Sequence, residues 1–295
     1  MKTESFNVSQ LVQLTSQYGP KEVLQQGAIP IPYPRADQLL VQVHAAALNP
    51  IDFKLRRNPL GPVDLPVVPG CDMAGVVVAK GDGVLRFDEL VAVKPKNVLF
   101  EEAASLPVVV QTAVEGFKTA GFQEGQSVFI VGGAGGVGTS ALQLAKQLYK
   151  ASVVTATIST GKVDFLKGLG ANKVVDYTKT RYVEVKEKYD FVFNTIGDSR
   201  KSYVVAKEGA PVIDVTWPPS IPRAQHTSLT VSGKILEELR PYLESRRLKA
   251  VIDPTSPFPF SNVIEAFGHL ETGRTRGKVV ISPVVSSSHH LDFCT

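Results

Sequence analysis

The stretch that decides the fold is SVFIVGGAGGVGTSALQLAKQLYK, residues 127–150. Its opening SVFIV predicts a short buried strand, and the residues after the glycines have the apolar spacing of an amphipathic helix. Between them lies GGAGGVG, Gly132–Gly138. Glycines allow a tight turn and a close backbone approach, and the N–H groups at the start of a helix attract an anion. The stretch therefore predicts a Rossmann-type dinucleotide site whose turn holds the pyrophosphate.

The chain after this turn alternates strands with helices. The strand candidates are VVTATI, KVVDY, YDFVFN, VIDV, AVI and KVVIS. Helices are expected at KVDFLKGLG, which Gly170 closes, and near residues 235–245 and 263–270. This alternation predicts an α/β fold with a doubly wound parallel sheet of right-handed βαβ units. It disfavours the alternative that the glycine turn only lets a helix pack on a strand.

The first ninety or so residues predict a β-rich domain. The strand candidates are QLLVQVHAAAL, residues 38–48, and MAGVVVAKGDGV, residues 73–84, which ends in a Gly-Asp-Gly turn. The prolines between them are expected to break that segment into short strands and turns. Residues 100–118 predict a helix that is interrupted at Pro107.

The composition is that of an ordinary globular protein, with 43% hydrophobic and 20% charged residues among 295 and a net charge of +4. Lys and Arg are scattered rather than clustered, which argues against nucleic-acid binding. The two cysteines, Cys71 and Cys294, cannot form a disulfide framework or a four-ligand zinc site, so a reducing compartment is expected. No cleavable targeting peptide and no transmembrane segment are expected, which leaves peripheral membrane contact open.

The end of the second strand after the glycine turn indicates which dinucleotide is preferred. NAD-specific sites place a carboxylate there for the ribose 2′-hydroxyl, but this chain has Ser159, Thr160 and Lys162 instead. A hydroxyl and an ammonium suit a 2′-phosphate, and Tyr177 after the third strand adds a phenolic donor. The sequence therefore predicts NADPH. The alternative is a helix N-cap at Ser159 or Thr160 with a solvated lysine, and both interpretations can hold together.

Several of these stretches occur in the order and spacing of a known family. The chain resembles, from about Leu11 to Ile281, the zinc-independent quinone oxidoreductase branch of the medium-chain dehydrogenase/reductase superfamily. It is most similar to plant-type alkenal/enone oxidoreductases and chloroplast-envelope quinone oxidoreductase homologues. The stretches that carry the resemblance are ALNPIDFKLR, PGCDMAGVV, TAVEGF, VGGAGGVGTSALQLAK, STGKVDFLKGLGANKVVDYTK, LRPYLES and GKVVI.

The resemblance implies a domain organisation with the cofactor in a cleft. It implies a GroES-like domain at residues 1–110, a Rossmann NADPH-binding domain at 111–245 and a return to the first domain at 246–284. The polar tail at 285–295 is expected to be disordered.

The resemblance also implies residue roles. Asn49 and Thr112 should flank the nicotinamide, and Gly197 should lie where the cofactor ribose passes. Lys278 should lie near the cleft. The pyrophosphate should contact Ala134, Gly135, Gly136, Val137 and Gly138. The 2′-phosphate should contact Ser159, Lys162 and Tyr177.

The implied reaction is hydride transfer from NADPH to the β-carbon of an enone or alkenal, or to a quinone. Without zinc, hydrogen-bond donors must polarise the carbonyl, and Asn49, Lys54 and the ribose hydroxyls are the candidates. Lys54 is also a candidate proton donor for the α-carbon, although solvent could supply the proton instead. The alternative for Lys54 is a surface lysine without a role in the reaction. Asp52 is expected to cap the local turn, and His44 is expected to be structural.

One residue pair distinguishes the chain from zinc-dependent relatives, and two features depart from the family that it resembles. Cys71-Asp72 stands where zinc-dependent relatives have His-Glu, so no metal site is expected, and Cys71 is interpreted as a small core residue. Roughly thirty residues are missing between Arg86 and Leu90 by comparison with the family, which would remove strands of a shortened GroES-like domain. Asn194 replaces a usual Asp, and little effect is expected from it.

The shortening leaves alternatives to a working enzyme. One is a catalytically weak NADPH-binding protein, and another is a peripheral membrane-associated protein. The expected location is cytoplasmic, with a plastid membrane periphery as the alternative, and the expected state is a monomer or homodimer.

Overall fold

The computed structural model describes residues 10–59, 61, 64–84, 91–227 and 229–282. The described residues fall into two compact units. The first unit contains the described residues of 10–84, 99–105 and 252–282, and the second contains those of 91–98 and 106–251. The predicted tail, and the junction between Arg86 and Leu90, lie outside the described residues.

The strands in the described residues are β1 (Gln10–Thr15), β2 (Leu24–Ile29), β3 (Leu39–Leu48), β4 (Asp72–Lys80), β5 (Ser127–Val131), β6 (Val153–Ile158), β7 (Lys173–Asp176), β8 (Phe191–Asn194), β9 (Val212–Asp214), β10 (Gln225–His226) and β11 (Val279–Ile281). The α-helices are α1 (Pro50–Arg57), α2 (Phe100–Ala104), α3 (Pro107–Thr119), α4 (Gly136–Gln147), α5 (Val163–Gly168), α6 (Ser199–Val205), α7 (Gly233–Glu244) and α8 (Val263–Glu271). Within the described residues, every helix is too short or too polar to cross a bilayer.

The second unit is a six-stranded parallel sheet with helices between its strands. The strand order is β10-β9-β8-β5-β6-β7, so the chain runs outward from β5 in one direction and then returns to run outward in the other. Its central strands are fully buried because both faces are covered, which explains the unbroken apolar run SVFIV. The α/β fold with a doubly wound parallel sheet is confirmed.

The order of the strands fixes where a ligand binds. Ligands of open α/β sheets lie beyond the carboxyl ends of the strands, at the point where the strand order reverses. Here that point lies between β5 and β8. Because the strands are parallel, β5 to β9 all end at one edge of the sheet, which we call the carboxyl edge.

The first unit is β-rich, with a β1–β2 antiparallel pair and a three-stranded antiparallel sheet of order β11-β3-β4. Small side chains line the buried part of β3, where Ala45 and Ala47 pack with Ala104 of α2 and Val280 of β11. Alanines at these positions let α2 approach the sheet closely. The strands predicted at residues 38–48 and 73–84 are confirmed as β3 and β4. The described residues between β4 and α2 contain no strand.

The interpretation of the proline-rich segment is wrong, because Pro50–Arg57 forms the helix α1. Proline is tolerated at the first helical position, where its missing N–H would have no intrahelical partner. The backbone N–H of Asn49 donates to Asp52 Oδ2 at 2.7 Å, which confirms Asp52 as a cap. The buried Arg56 then joins the helix to α8 through Glu271 Oε1 at 2.6 Å.

Most predicted elements of the second half are confirmed, and one is wrong. The helix at residues 100–118 is divided at Pro107 into α2 and α3, and Gly170 follows α5 with a φ of +107°. The predicted strand AVI does not form, since Ile252 makes only an isolated bridge to Lys278.

Candidate functional site

The glycine turn follows β5 directly and leads into α4. Gly132 has a φ of +84°, which L side chains rarely adopt. A Cβ on Gly138 would overlap the carbonyl oxygen of Gly132 and the backbone of Gly133. These glycines are therefore required for the first turn of α4 to approach the end of β5. The N–H groups of a first helical turn have no intrahelical acceptor and are suited to bind an anion.

Gly135 differs from its neighbours in the turn. It has an ordinary φ of −73°, and the atom nearest to an added Cβ is Gly132 O at 3.8 Å. The protein itself therefore has room for a side chain at this position. An absent Cβ here is needed only if something outside the chain occupies that space, which fits the close approach of a pyrophosphate.

The residues predicted to bind a 2′-phosphate lie at the ends of neighbouring strands. Ser159 and Lys162 follow β6, and Tyr177 follows β7, with Ile158 and Asp176 in register. Tyr177 is 54% exposed. Helix α5 begins at Val163 with Lys162 at its N-cap, so the alternative in which Ser159 or Thr160 caps this helix is wrong.

Asp176 is a carboxylate at this edge that the sequence analysis missed. Its Oδ2 accepts a hydrogen bond from Thr160 Oγ1 at 2.6 Å, and its Oδ1 accepts from the hydroxyl of Thr178 at 2.6 Å. These hydrogen bonds hold the pKa of Asp176 below its usual value. The prediction of NADPH rests on the residues after β6, whereas this charge lies at the end of β7.

The ends of β8 and β9 are joined by a buried polar pair. Asn194 Oδ1 accepts from the backbone N–H groups of Ile196 at 3.0 Å and Gly197 at 3.2 Å. Asp214 Oδ1 accepts from the N–H of Thr216 at 2.9 Å and from its hydroxyl at 2.7 Å. The Nδ2 of Asn194 lies 3.5 Å from Asp214 Oδ2.

This pair gives Asn194 a larger role than the sequence analysis expected. An amide in this position donates to Asp214, whereas a carboxylate would place two buried negative charges together. Gly197, the predicted ribose neighbour, has a φ of +87°, and a Cβ there would lie 3.1 Å from Thr216 Oγ1. The two loops therefore pack closely at the carboxyl edge. Thr112 lies in the same unit, on α3, which packs against α4.

The first unit contains a buried cluster of Asn49, Asp72 and Lys278. Lys278 Nζ donates to Leu48 O at 2.9 Å, to Asp72 Oδ2 at 3.0 Å and to Asn49 Oδ1. Asn49 Nδ2 donates to Asp72 Oδ2 at 2.8 Å. Three acceptors satisfy the ammonium, so the ion pair is compensated despite its burial. The cluster fixes the orientation of the Asn49 amide.

Cys71 lies beside this cluster, and its interpretation as a core residue is wrong. The residue is exposed. Its Sγ lies 3.7 Å from Asn49 Nδ2 and 3.8 Å from Asp52 Oδ1. Partial burial of the thiol, together with the nearby charges of Asp52 and Asp72, raises the pKa of Cys71 to about 12. The thiol therefore stays protonated at neutral pH and is a weak nucleophile.

The other candidates of the first unit are placed differently. Lys54 is exposed on α1, outside the cluster of Asn49, Asp72 and Lys278. The ring of His44 stacks on Phe100 with 4.5 Å between centroids, in keeping with a structural role. The described residues contain no group of three or more His, Cys, Asp or Glu that could hold a metal ion.

The comparisons with known proteins cover both halves of the chain. The family "Alcohol dehydrogenase GroES-like domain" matches residues 35–152, and the family "Zinc-binding dehydrogenase" matches residues 169–281. The 2-methylene-furan-3-one reductase of Solanum lycopersicum is 42% identical over 90% of this chain and 77% of its own length. The chain belongs to the medium-chain dehydrogenase/reductase superfamily.

Two further members of the superfamily support the predicted resemblance. The NADPH-dependent alkenal/one oxidoreductase, chloroplastic, of Arabidopsis thaliana is 40% identical over 91% of this chain and 78% of that protein. The structure of the quinone oxidoreductase from Coxiella burnetii matches with a TM-score of 0.83 and 28% identity, covering 92% of this chain and 98% of that one. The resemblance to plant enone oxidoreductases is confirmed.

The alignment with the tomato member of the superfamily bears on the predicted shortening. The alignment extends over 301 positions, but it includes only 90% of this 295-residue chain, which is about 266 residues. About 35 positions of the alignment are therefore gaps in this chain. Positions of the relative therefore lack a counterpart here, in agreement with a shortened chain. Their place between Arg86 and Leu90 stays a prediction.

The geometry of the glycine turn predicts the effect of Gly135→Val. We expect this variant to fold normally because the chain leaves space at the position. We expect its affinity for NADPH to fall at least about tenfold, or 1.4 kcal/mol, because the side chain enters the space that the pyrophosphate needs. Fluorescence titration of NADPH and thermal unfolding measure the two properties.

Gly138→Ala is the matched control. Its Cβ overlaps the backbone of the turn itself, so we expect a lower melting temperature together with weaker binding. If Gly135→Val is folded and binds NADPH as tightly as the wild type, the turn does not hold the pyrophosphate.

The environment of Asp52 predicts a pH dependence of stability. Burial raises the pKa of Asp52 to about 6, against about 3.9 in an unfolded chain. The folded state therefore binds the proton more tightly, and stability falls as pH rises between these values, by about 3 kcal/mol in total. Asp52→Asn removes this penalty and keeps an oxygen acceptor for the N–H of Asn49. We expect the variant to gain thermal stability relative to the wild type as pH rises from about 4 to about 7.

Asp64→Asn, at an exposed position of the same unit, is the control and should follow the wild type. A stability difference between Asp52→Asn and the wild type that is the same at every pH would contradict the raised pKa.

Proposed function

We propose that the chain is an NADPH-dependent oxidoreductase that reduces the carbon–carbon double bond of α,β-unsaturated carbonyl compounds or reduces quinones. The observation that carries the proposal is the 42% identity with the tomato reductase over 90% of the chain. The name of the Arabidopsis relative supports NADPH, and the glycine turn at the switch point of the sheet is suited to a dinucleotide.

The second unit would hold the cofactor. The turn of Ala134, Gly135, Gly136, Val137 and Gly138 would bind the pyrophosphate with backbone N–H groups. Ser159, Lys162 and Tyr177 would contact the 2′-phosphate, and Thr112 and Gly197 would line the path of the nicotinamide riboside. When bound, NADPH supplies the hydride. The strands and loops of the carboxyl edge orient it.

The first unit would supply the polar groups that act on the carbonyl. Asn49 has its Oδ1 held by Lys278 and one amide N–H held by Asp72. Its second amide N–H donates to Cys71 Sγ, a weak acceptor 3.7 Å from Nδ2. A substrate oxygen would replace this acceptor as negative charge develops on it. Lys278 then acts as a positioning residue rather than as a direct cofactor ligand. Lys54, which is exposed, and solvent remain the candidates for the proton that the α-carbon receives.

The proposed reaction is independent of zinc. Lys278 already balances the buried charge of Asp72, and hydrogen-bond donors take the place of a Lewis acid. We expect turnover to survive prolonged treatment with a strong chelator. Stoichiometric zinc in the purified protein, with activity lost on its removal, would contradict this part of the proposal.

The test of the function is a turnover assay with NADPH and a panel of substrates: a short alkenal, a cyclic enone and a benzoquinone. Oxidation of NADPH that depends on one of them, with the reduced product identified by mass spectrometry, is the expected result. NADPH binding without turnover of any substrate would favour the weak NADPH-binding protein instead. In that case, cosedimentation with lipid vesicles tests the peripheral membrane role.

Location and assembly are part of the proposal. The Arabidopsis relative is named as chloroplastic, which favours a plastid over the cytoplasm for this chain. A monomer or a homodimer is proposed.

The proposed phosphate site predicts the cofactor preference of Lys162→Glu. We expect NADPH affinity to fall by about 1.5–3 kcal/mol, the range for a hydrogen bond to a charged group. We expect NADH affinity to change little, because only NADPH carries the 2′-phosphate. Isothermal titration with each cofactor measures the difference.

Lys167→Glu makes the same charge change at an exposed position of α5 and is the matched control. It should leave the ratio of the two affinities unchanged. Equal weakening of NADPH and NADH by Lys162→Glu would place the phosphate site elsewhere.

A further inference from the structure

Two large apolar side chains stand exposed at the carboxyl edge of the second unit. Trp217 follows β9 and is 67% exposed, and Ile196 follows β8 and is 59% exposed. Trp217 is the single tryptophan of the chain. Burying these side chains would be favourable, and neighbouring exposed apolar groups at the edge where ligands bind mark a binding surface.

The loops that carry these side chains are ordered by buried groups. Asn194 holds the backbone of Ile196, Asp214 holds the backbone of Thr216, and the two polar side chains meet at 3.5 Å. The indole of Trp217 packs against the His226 ring, with 5.1 Å between centroids and 55° between planes. His226 Nδ1 lies 3.1 Å from Asp214 O. The indole is therefore held in a defined place.

The strand order assigns this surface to one end of the cofactor. The turn after β5 lies at the centre of the carboxyl edge, where the pyrophosphate would bind. The polar groups suited to the 2′-phosphate follow β6 and β7 on one side of it. A dinucleotide that lies across the switch point must then extend its other half toward β8 and β9. Ile196 and Trp217 lie at that reacting end.

We propose that Trp217 is a specificity-determining residue that favours flat, conjugated ring substrates such as cyclic enones and quinones over short open-chain alkenals. The inference rests on the proposed function. An electron-poor ring stacks well on an indole and buries a large apolar area, whereas a short alkenal covers little of it. The residue acts on substrate binding and leaves the hydride step to other groups.

The single tryptophan gives a direct test that needs no turnover. Trp217 fluorescence is followed in the presence of saturating NADP⁺, which cannot donate hydride, while a benzoquinone, a cyclic enone or a short alkenal is added. Saturable quenching by the two ring compounds, weaker without NADP⁺ and much weaker with the alkenal, is the expected result. Free N-acetyltryptophanamide, which shows only linear collisional quenching, is the control. Linear quenching of the protein by all three compounds would overturn the proposal.

Kinetics of Trp217→Ala, Trp217→Phe and a control test the same idea. For ring substrates we expect kcat/KM to fall about tenfold in Trp217→Ala, through KM, and to fall much less in Trp217→Phe, which keeps an aromatic face. For the short alkenal we expect little change in any variant. Val204→Ala, at an exposed apolar position on α6, should behave as the wild type.

The outcomes separate this inference from the proposed function. Equal losses for all substrates in both Trp217 variants, or no loss for ring substrates, would show that Trp217 does not select them. Should Trp217→Ala fail to fold, the kinetics of Trp217→Phe and the fluorescence titration of the wild type still test whether Trp217 selects ring substrates. Absence of turnover with every substrate would contradict the proposed function, while the fluorescence titration would still test whether ring compounds reach Trp217.

Discussion

The close approach of α4 to the end of β5 is the constraint on which the second unit depends. It is set by Gly138, whose missing Cβ lets the first turn of the helix pack on the backbone of Gly132 and Gly133. A larger residue would push the helix away from the sheet and displace its N–H groups from the carboxyl edge. The site is therefore a consequence of backbone packing, and the same glycines that make the core compact also create a concentration of donors for an anion.

In the first unit, the corresponding constraint is a buried charge. A lone Asp72 carboxylate in this place would be costly, and Lys278 compensates it while also contacting Asn49 and Leu48 O. The same ion pair orients Asn49, because its Oδ1 accepts from Lys278 and its Nδ2 donates to Asp72, so the amide cannot rotate. Lys278, on the returning chain, places its ammonium 3.0 Å from Asp72 Oδ2 and so compensates this charge.

Much of the fold could be predicted because its signals are local. The apolar run of β5, the glycine turn and the amphipathic α4 lie within one stretch, and alternation of strands with helices follows from it. The prolines near α1 indicate turns, and this signal obscures the cap that Asn49 and Asp52 form at the start of the helix. The other features that were not predicted depend on contacts between residues that are far apart in the sequence. Asn194 and Asp214 are twenty positions apart in the chain and meet because β8 and β9 are neighbours in the sheet. Asp176 reaches the proposed 2′-phosphate site from the end of a different strand, β7. The exposure of Cys71 depends on which residues pack around it.

The carboxyl edge is chemically divided on either side of the glycine turn. Beyond β6 and β7 it is polar, with Ser159, Thr160 and Asp176, and beyond β8 and β9 it exposes Ile196 and Trp217. A cofactor with a charged phosphate at one end and an uncharged reacting ring acting on apolar substrates at the other matches this division. The carboxylate of Asp176 would repel a phosphate, and Lys179 Nζ lies 3.9 Å from its Oδ2. The charges after β7, as well as those after β6, therefore bear on the proposed preference for NADPH.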